Sequence, residues 1–134
     1  MSVIRLHATT VSLHGKGVIL TGPSGAGKSD LALRLIDRGA LLVADDQTIL
    51  VEEAAGLVAA PVPDFAGQME IRGLGIVPQP FAERAILALH VDLETPPERM
   101  PEPMERVFGT TSLRSIRVNS RLPSAPILIE IALT

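Results

Sequence analysis

The residues most able to do chemistry are Gly22-Pro23-Ser24-Gly25-Ala26-Gly27-Lys28-Ser29, which fit the pattern G-x-x-x-x-G-K-[ST]. Glycines in such a loop let the backbone wrap an anion without Cβ clashes, so that successive N–H groups converge on phosphate oxygens. Lys28 can reach the β- and γ-phosphates of a nucleotide, and the Ser29 hydroxyl can ligate Mg²⁺. A nucleotide polyphosphate with Mg²⁺ is therefore the expected ligand, held by the whole stretch 22–29. The motif alone does not choose among a kinase, an ATPase, a GTPase and a silent nucleotide binder.

Such a loop works only between a strand and a helix N-terminus, where backbone donors and the helix dipole favour a polyphosphate. Both flanks are present. Residues 17–21 form a short apolar run that reads as a buried strand. Residues 30–38 carry apolar side chains at 31, 32, 35 and 36, which is helical spacing. Leu41-Leu42-Val43-Ala44 reads as a second strand, stopping at Asp45-Asp46. Residues 48–53 and 57–60 read as a hairpin about Ala54-Ala55-Gly56, and Pro61, Pro63 and Asp64 mark a loop. Residues 68–77 alternate apolar and polar and contain Gly73 and Gly75, which predicts a strand or turn with a close-approach segment. Residues 85–93 read as a strand, 94–103 as a surface loop, 116–118 as weakly strand-like and 126–133 as a final strand. Only one helix is clear, and there is more strand than a doubly wound domain carries. The expectation is an α/β or α+β fold, one P-loop domain over residues 1–134 with a mixed sheet around the loop.

Asp45 and Asp46 fall at the C-terminal end of a strand that follows the P-loop helix, the edge of an α/β sheet where ligands bind. Successive strand residues face opposite sides, so one carboxylate can accept a proton while the other meets metal or a basic group. Taken alone the pair reads as a solvated turn; beside a P-loop it reads as functional. His7 and His14 flank the segment before the P-loop strand, and His14, beside Gly15-Lys16-Gly17, reads as exposed turn material. Glu70 and Arg72 fall on one strand face. An arginine near a transferring phosphate stabilises developing charge, but on spacing alone the two read as a surface ion pair.

Composition narrows the classes. The 134 residues are 46% hydrophobic, enough for a real core built from Leu, Ile, Val and Ala. There is no Trp or Tyr and only three Phe, so base-stacking platforms are missing, and a net charge of −3 provides no footprint for nucleic acid. The absence of cysteine excludes disulfides, thiolate zinc sites and thiol catalysis, and fits a reducing compartment. Residues 1–7 lack a secretory h-region, and no apolar stretch reaches membrane-spanning length. The expectation is a soluble cytoplasmic protein with neither a nucleic-acid nor a membrane partner.

Gly22 to Ser29 followed by Asp30-Leu31-Ala32-Leu33, then Arg38-Gly39, Val43-Ala44-Asp45-Asp46 and Glu70-Ile71-Arg72-Gly73-Leu74-Gly75-Ile76, resembles the catalytic domain of the HPr kinase/phosphorylase family. The resemblance runs from about His7 to Val77 and returns weakly at Ile127-Leu128-Ile129-Glu130. It implies a fold similar to phosphoenolpyruvate carboxykinase. It also implies phosphorylation by ATP of a serine on the phosphocarrier HPr or a relative, and a reverse reaction in which inorganic phosphate attacks the phosphoserine and releases pyrophosphate. Homo-oligomers, hexamers in the family, go with it. Carried over, Lys28 meets phosphates, Asp45 is the base for the serine hydroxyl and the acid in reverse, and Asp46 is its neighbour. His7 takes the place of the upstream family histidine, and Arg72 stands near the partner serine. Ser29, Asp30 and Glu70 become the metal-side oxygens.

The chain departs from the family in five places. Asp30 stands where Glu is usual, and Phe81-Ala82-Glu83-Arg84 replaces a longer loop. Val118-Asn119-Ser120-Arg121-Leu122-Pro123 replaces a basic element, whose arginine would be Arg121 or Arg117. The family's N-terminal domain and C-terminal helices have no counterpart in these residues. The resemblance thus favours the kinase direction over phosphorolysis. A nucleotide-sensing module that binds without turnover is the alternative of another class, and a small-molecule kinase ranks last.

Overall fold

The computed structural model of the chain describes residues 3–134, leaving Met1 and Ser2 of the N-terminal segment outside the described residues. The elements run β1 Val3–Leu6, β2 Ala8–Leu13, β3 Lys16–Thr21, α1 Lys28–Asp37, β4 Leu41–Ala44, β5 Thr48–Glu53 and β6 Gly56–Pro61. They continue with β7 Gln68–Ile71, β8 Gly75–Pro78, β9 Ala85–Asp92, β10 Met104–Phe108, β11 Thr111–Arg117 and α2 Ala125–Ala132. A nine-stranded mixed sheet follows the order β1-β5-β6-β9-β3-β2-β4, with the β10–β11 hairpin joined through β11 to β9; β7 and β8 form a separate two-stranded sheet. Among the described residues, only the β3–β9 and β9–β11 strand pairs are parallel. This is the mixed α/β sheet around a P-loop that the sequence predicts.

Side-chain alternation along the central strands makes two cores. Val18 and Leu20 of β3, with Leu89 and Val91 of β9, face a cluster that α1 covers with Leu31, Ala32 and Leu35 and α2 with Ala125 and Ile129. Ile19 points the other way, into a second cluster with Leu50, Leu57 and Phe108, and Leu87 joins that cluster because the β3–β9 register shifts between Gly17 and Val18. Burying the same strands on both sides fixes their register, because a one-residue slip would exchange the two faces. α1 ends in a Schellman arrangement about Gly39: the Gly39 N–H donates to the Ile36 carbonyl and the Ala40 N–H to the Leu35 carbonyl, both at 3.0 Å.

Two readings of the sequence need correction. Residues 126–133 are not a strand but the helix α2. The β-branched run favours a strand locally. Packing overrides it: Ala125, Ile129, Ala132 and Leu133 recur at helical spacing and all meet the α1 side of the core, while Ile127 and Ile131 remain exposed. Pro126 falls in the first turn, where its missing N–H costs nothing. Lys16 Nζ donates to the Leu133 carbonyl at 3.1 Å and Arg114 Nη1 to the Ala132 carbonyl at 2.6 Å, which satisfies the carbonyls at the helix's C-terminal end. The strand-like signal at 116–118 is the end of a longer strand, β11, paired with an unforeseen β10. The inward positions of β11 are Leu113 and Ser115, so an apolar period of two is hidden by a buried serine.

Candidate active site

β3 delivers the chain to the P-loop and α1 carries it away, as the motif requires. Lys28, the first residue of α1, is buried, and its Nζ donates to the carbonyls of Gly22 at 2.6 Å and Pro23 at 3.0 Å. These bonds hold the ammonium across the base of the loop. Gly27 has φ +92, a left-handed backbone that a Cβ would strain, and the position needs it: an added Cβ would stand 2.6 Å from the Ser120 hydroxyl.

The acidic pair lies just past β4. Its two side chains diverge because of the turn rather than by strand alternation, since Asp46 takes a left-handed φ of +67. Asp45 is half-buried and faces the P-loop. Its Oδ1 accepts from the Ser29 hydroxyl at 2.7 Å and from Thr9 Oγ1 at 3.3 Å, and its Oδ2 accepts from the Glu70 N–H at 3.2 Å. Asp46 is exposed and meets His7 Nε2 at 2.5 Å. His14 lies apart, exposed in the β2–β3 turn, as expected.

β7 is anchored by buried Met69, which seats the β7–β8 hairpin against the α1 side of the core. The hairpin then overhangs the loop and walls a cavity of about 780 Å³. Ser24, Gly25, Gly27, Lys28 and Ser29 form its floor; His7, Asp30, Asp46, Glu70 and Arg72 stand around it. Asp45 lies behind this lining, on Ser29. Arg72 follows the end of β7, in the turn, so the one-face argument for Glu70 and Arg72 does not apply, although both reach the same cavity. Gly73 and Gly75 are not close-approach glycines either: an added Cβ would meet nothing within 4 Å, and the positions instead need φ of +90 and +95. Asp30 is turned to Arg34, one helical turn on, at 3.0 Å.

Two residues near the site escape the sequence reading. His90 of β9 is buried, with Nε2 2.6 Å from Thr21 Oγ1, the residue before the P-loop, and Nδ1 2.7 Å from Ser115 Oγ. Burial, aided by the charge of Arg106 and opposed by Asp92, lowers its pKa to about 4. Ser120, in the β11–α2 connection, donates to the Ala26 carbonyl at 2.7 Å. Each joins segments far apart in sequence, so no local pattern announces either one.

The donor set suits Mg²⁺. Among the described residues no three His, Asp or Glu side chains form a ready-made metal cage. The hard oxygens of Ser29 and of the Asp45–Asp46 turn stand beside the phosphate loop. Mg²⁺ is commonly held in this way, by one or two protein oxygens together with substrate phosphates.

A strand–P-loop–helix unit in a mixed sheet, with a carboxylate bonded to the P-loop serine, defines a P-loop domain of the kinase type. The family model described as HPr serine kinase C-terminal domain matches residues 1–120, and the chain belongs to that family. The HPr kinase/phosphorylase of Clostridium tetani is 45% identical over 76 residues, 57% of this chain and 25% of that protein. That of Bacillus cereus is 44% identical over 73 residues, 54% of this chain and 24% of that protein. The chain thus spans about a quarter of the length of the curated relatives it matches, which are enzymes by name. The solved Hpr(Ser) kinase/phosphatase of Coxiella burnetii superposes with a TM-score of 0.83 at 26% identity, over 97% of this chain and 88% of that one. Among the described residues no helix is long and apolar enough to cross a membrane.

Proposed function

We propose that this chain is an ATP-dependent protein-serine kinase acting on HPr or a related phosphocarrier, with residues 1–134 working as one catalytic domain. The observation that carries the reading is the 2.7 Å bond from Ser29 to Asp45, which couples the phosphate loop to the acidic turn at one edge of the sheet. In the forward step the serine oxygen of the carrier bonds to the γ-phosphorus as the bond from that phosphorus to the β–γ bridging oxygen breaks. ADP departs, and the serine proton passes to Asp45. Lys28 and the loop N–H groups take up charge on the phosphates, and Arg72 offers a cation at the cavity wall. Ser29, Asp30 and Glu70 are the residues that would hold Mg²⁺, which would supply neutralisation of the phosphate charge. Run in reverse, Asp45 returns the proton to the serine oxygen while inorganic phosphate takes the phosphoryl group as pyrophosphate. Homo-oligomer formation and a cytoplasmic location belong to the same reading.

The Asp46–His7 contact at 2.5 Å, facing the cavity, favours a second assignment of the base: Asp46 takes the proton and Asp45 holds Ser29. Incubation with ATP, Mg²⁺ and phosphocarriers tests the function, and phosphate on a carrier serine is the expected result. Phosphate on a metabolite, or ATP binding without transfer, contradicts it; the latter is the behaviour of a sensing module. Asp46→Asn separates the two bases. It retains transfer if Asp45 is the base and loses it if Asp46 is.

A further inference from the structure

Ser120 stands 94 positions from Ala26, yet its hydroxyl donates to the Ala26 carbonyl at 2.7 Å. It is buried, and its Oγ would lie 2.6 Å from a Cβ placed on Gly27, so it is packed against the loop. Ser120 is itself held in place. Arg34 of α1 donates through Nη2 to the Ser120 carbonyl and through Nη1 to the Leu122 carbonyl at 3.1 Å, while also pairing with Asp30. The helix that follows the P-loop therefore grips the segment that grips the P-loop.

In a trans peptide the C=O and N–H of one planar unit point in opposite directions. No cis peptide occurs among the described residues. The unit whose carbonyl faces Ser120 thus turns the Gly27 N–H away from Ser120, and Gly27 lines the cavity floor. Gly27 has no Cβ to resist rotation of this unit, so something else must fix its direction. We propose that Ser120 is a positioning residue for polyphosphate binding: its hydroxyl orients the Ala26–Gly27 peptide so that the Gly27 N–H is presented to a phosphate oxygen. This role rests on the reading of the loop as a nucleotide site and deepens it, because orientation set before the anion arrives removes an ordering cost from binding.

The test is calorimetric titration of the whole chain with inorganic pyrophosphate and with Mg²⁺-ATP, beside amide NMR of Gly27. In the wild type, pyrophosphate is expected to move the Gly27 amide proton downfield. Ser120→Ala is expected to bind both ligands about tenfold more weakly, the scale of one net hydrogen bond, and to lose most of the Gly27 shift. Its thermal midpoint should stay near that of the wild type. Binding within twofold of the wild type with the Gly27 shift intact overturns the proposal. Should Ser120→Ala fail to fold, Arg34→Lys decides in the same assay: several-fold weaker binding supports the role, and wild-type binding overturns it. If the wild type binds neither ligand, the nucleotide reading itself falls, and this role with it.

Discussion

Residues that are bonded on both sides leave measurable signatures. His90 is the clearest case. Its pKa, about 4 in the fold, lies below the usual 6.5 of a free histidine, because burial disfavours the charged ring. The unfolded chain therefore binds more protons between those values, and stability rises with pH through that window. His90 should contribute fully above pH 6.5 and lose its contribution as pH falls toward 4, up to roughly 3 kcal/mol. Urea unfolding at pH 7 and pH 5 should show the loss in the wild type and a smaller one in His90→Gln. Equal losses would mean that His90 is protonated without penalty. Lys28→Ala makes a second residue-scale prediction. It removes the cation at the base of the loop and should weaken ATP binding by at least tenfold with little loss of stability, as read by calorimetry. The placement of Lys28, Ser29 and the acidic pair beside one another was legible in the sequence because the motif and the strand end that carry them are each written in adjacent letters. His90 and Ser120 were not. Their partners lie 69 and 94 positions away, and a buried histidine and a loop serine look ordinary until the fold closes.

Secondary-structure elements obey the same division between local and distant causes. β3, α1, β4 and the β5–β6 hairpin announce themselves because period and punctuation agree with tertiary burial. α2 does not, since its β-branched letters argue for a strand while its inward residues follow helical spacing. The helix makes a sharp prediction. Ile129→Ala should cost roughly 2–5 kcal/mol because its side chain is fully buried, whereas Ile131→Ala should fall within about 0.5 kcal/mol. Were the segment a strand, residues 129 and 131 would share a face and the two costs would be alike. Chemical denaturation of both variants decides between them. The β7–β8 hairpin was legible in composition but not in its geometry. Gly73 and Gly75 were evident, yet their purpose is a turn with positive φ that brings Arg72 over the cavity rather than close backbone packing.

At the scale of the molecule, the fold brings three separate stretches of chain together at one edge of the main sheet. These are the P-loop after β3, the acidic turn after β4 and the hairpin β7–β8. Their order along the chain carries the family likeness, and their convergence makes one cavity of about 780 Å³. The mixed sheet could be expected from the excess of strands around a single P-loop. Its strand order could not, because β9 sits between β6 and β3 only through pairings of long range. Under the proposed function this edge transfers phosphate to a serine with Asp45 as base. Single-turnover transfer from Mg²⁺-ATP to a phosphocarrier serine, in the wild type and in Asp45→Asn, with ATP affinity measured alongside, decides this role. Transfer by the wild type, a loss of at least a hundredfold in Asp45→Asn and ATP binding retained within about threefold are the expected results. Transfer by Asp45→Asn at the wild-type rate would rule out Asp45 as the base.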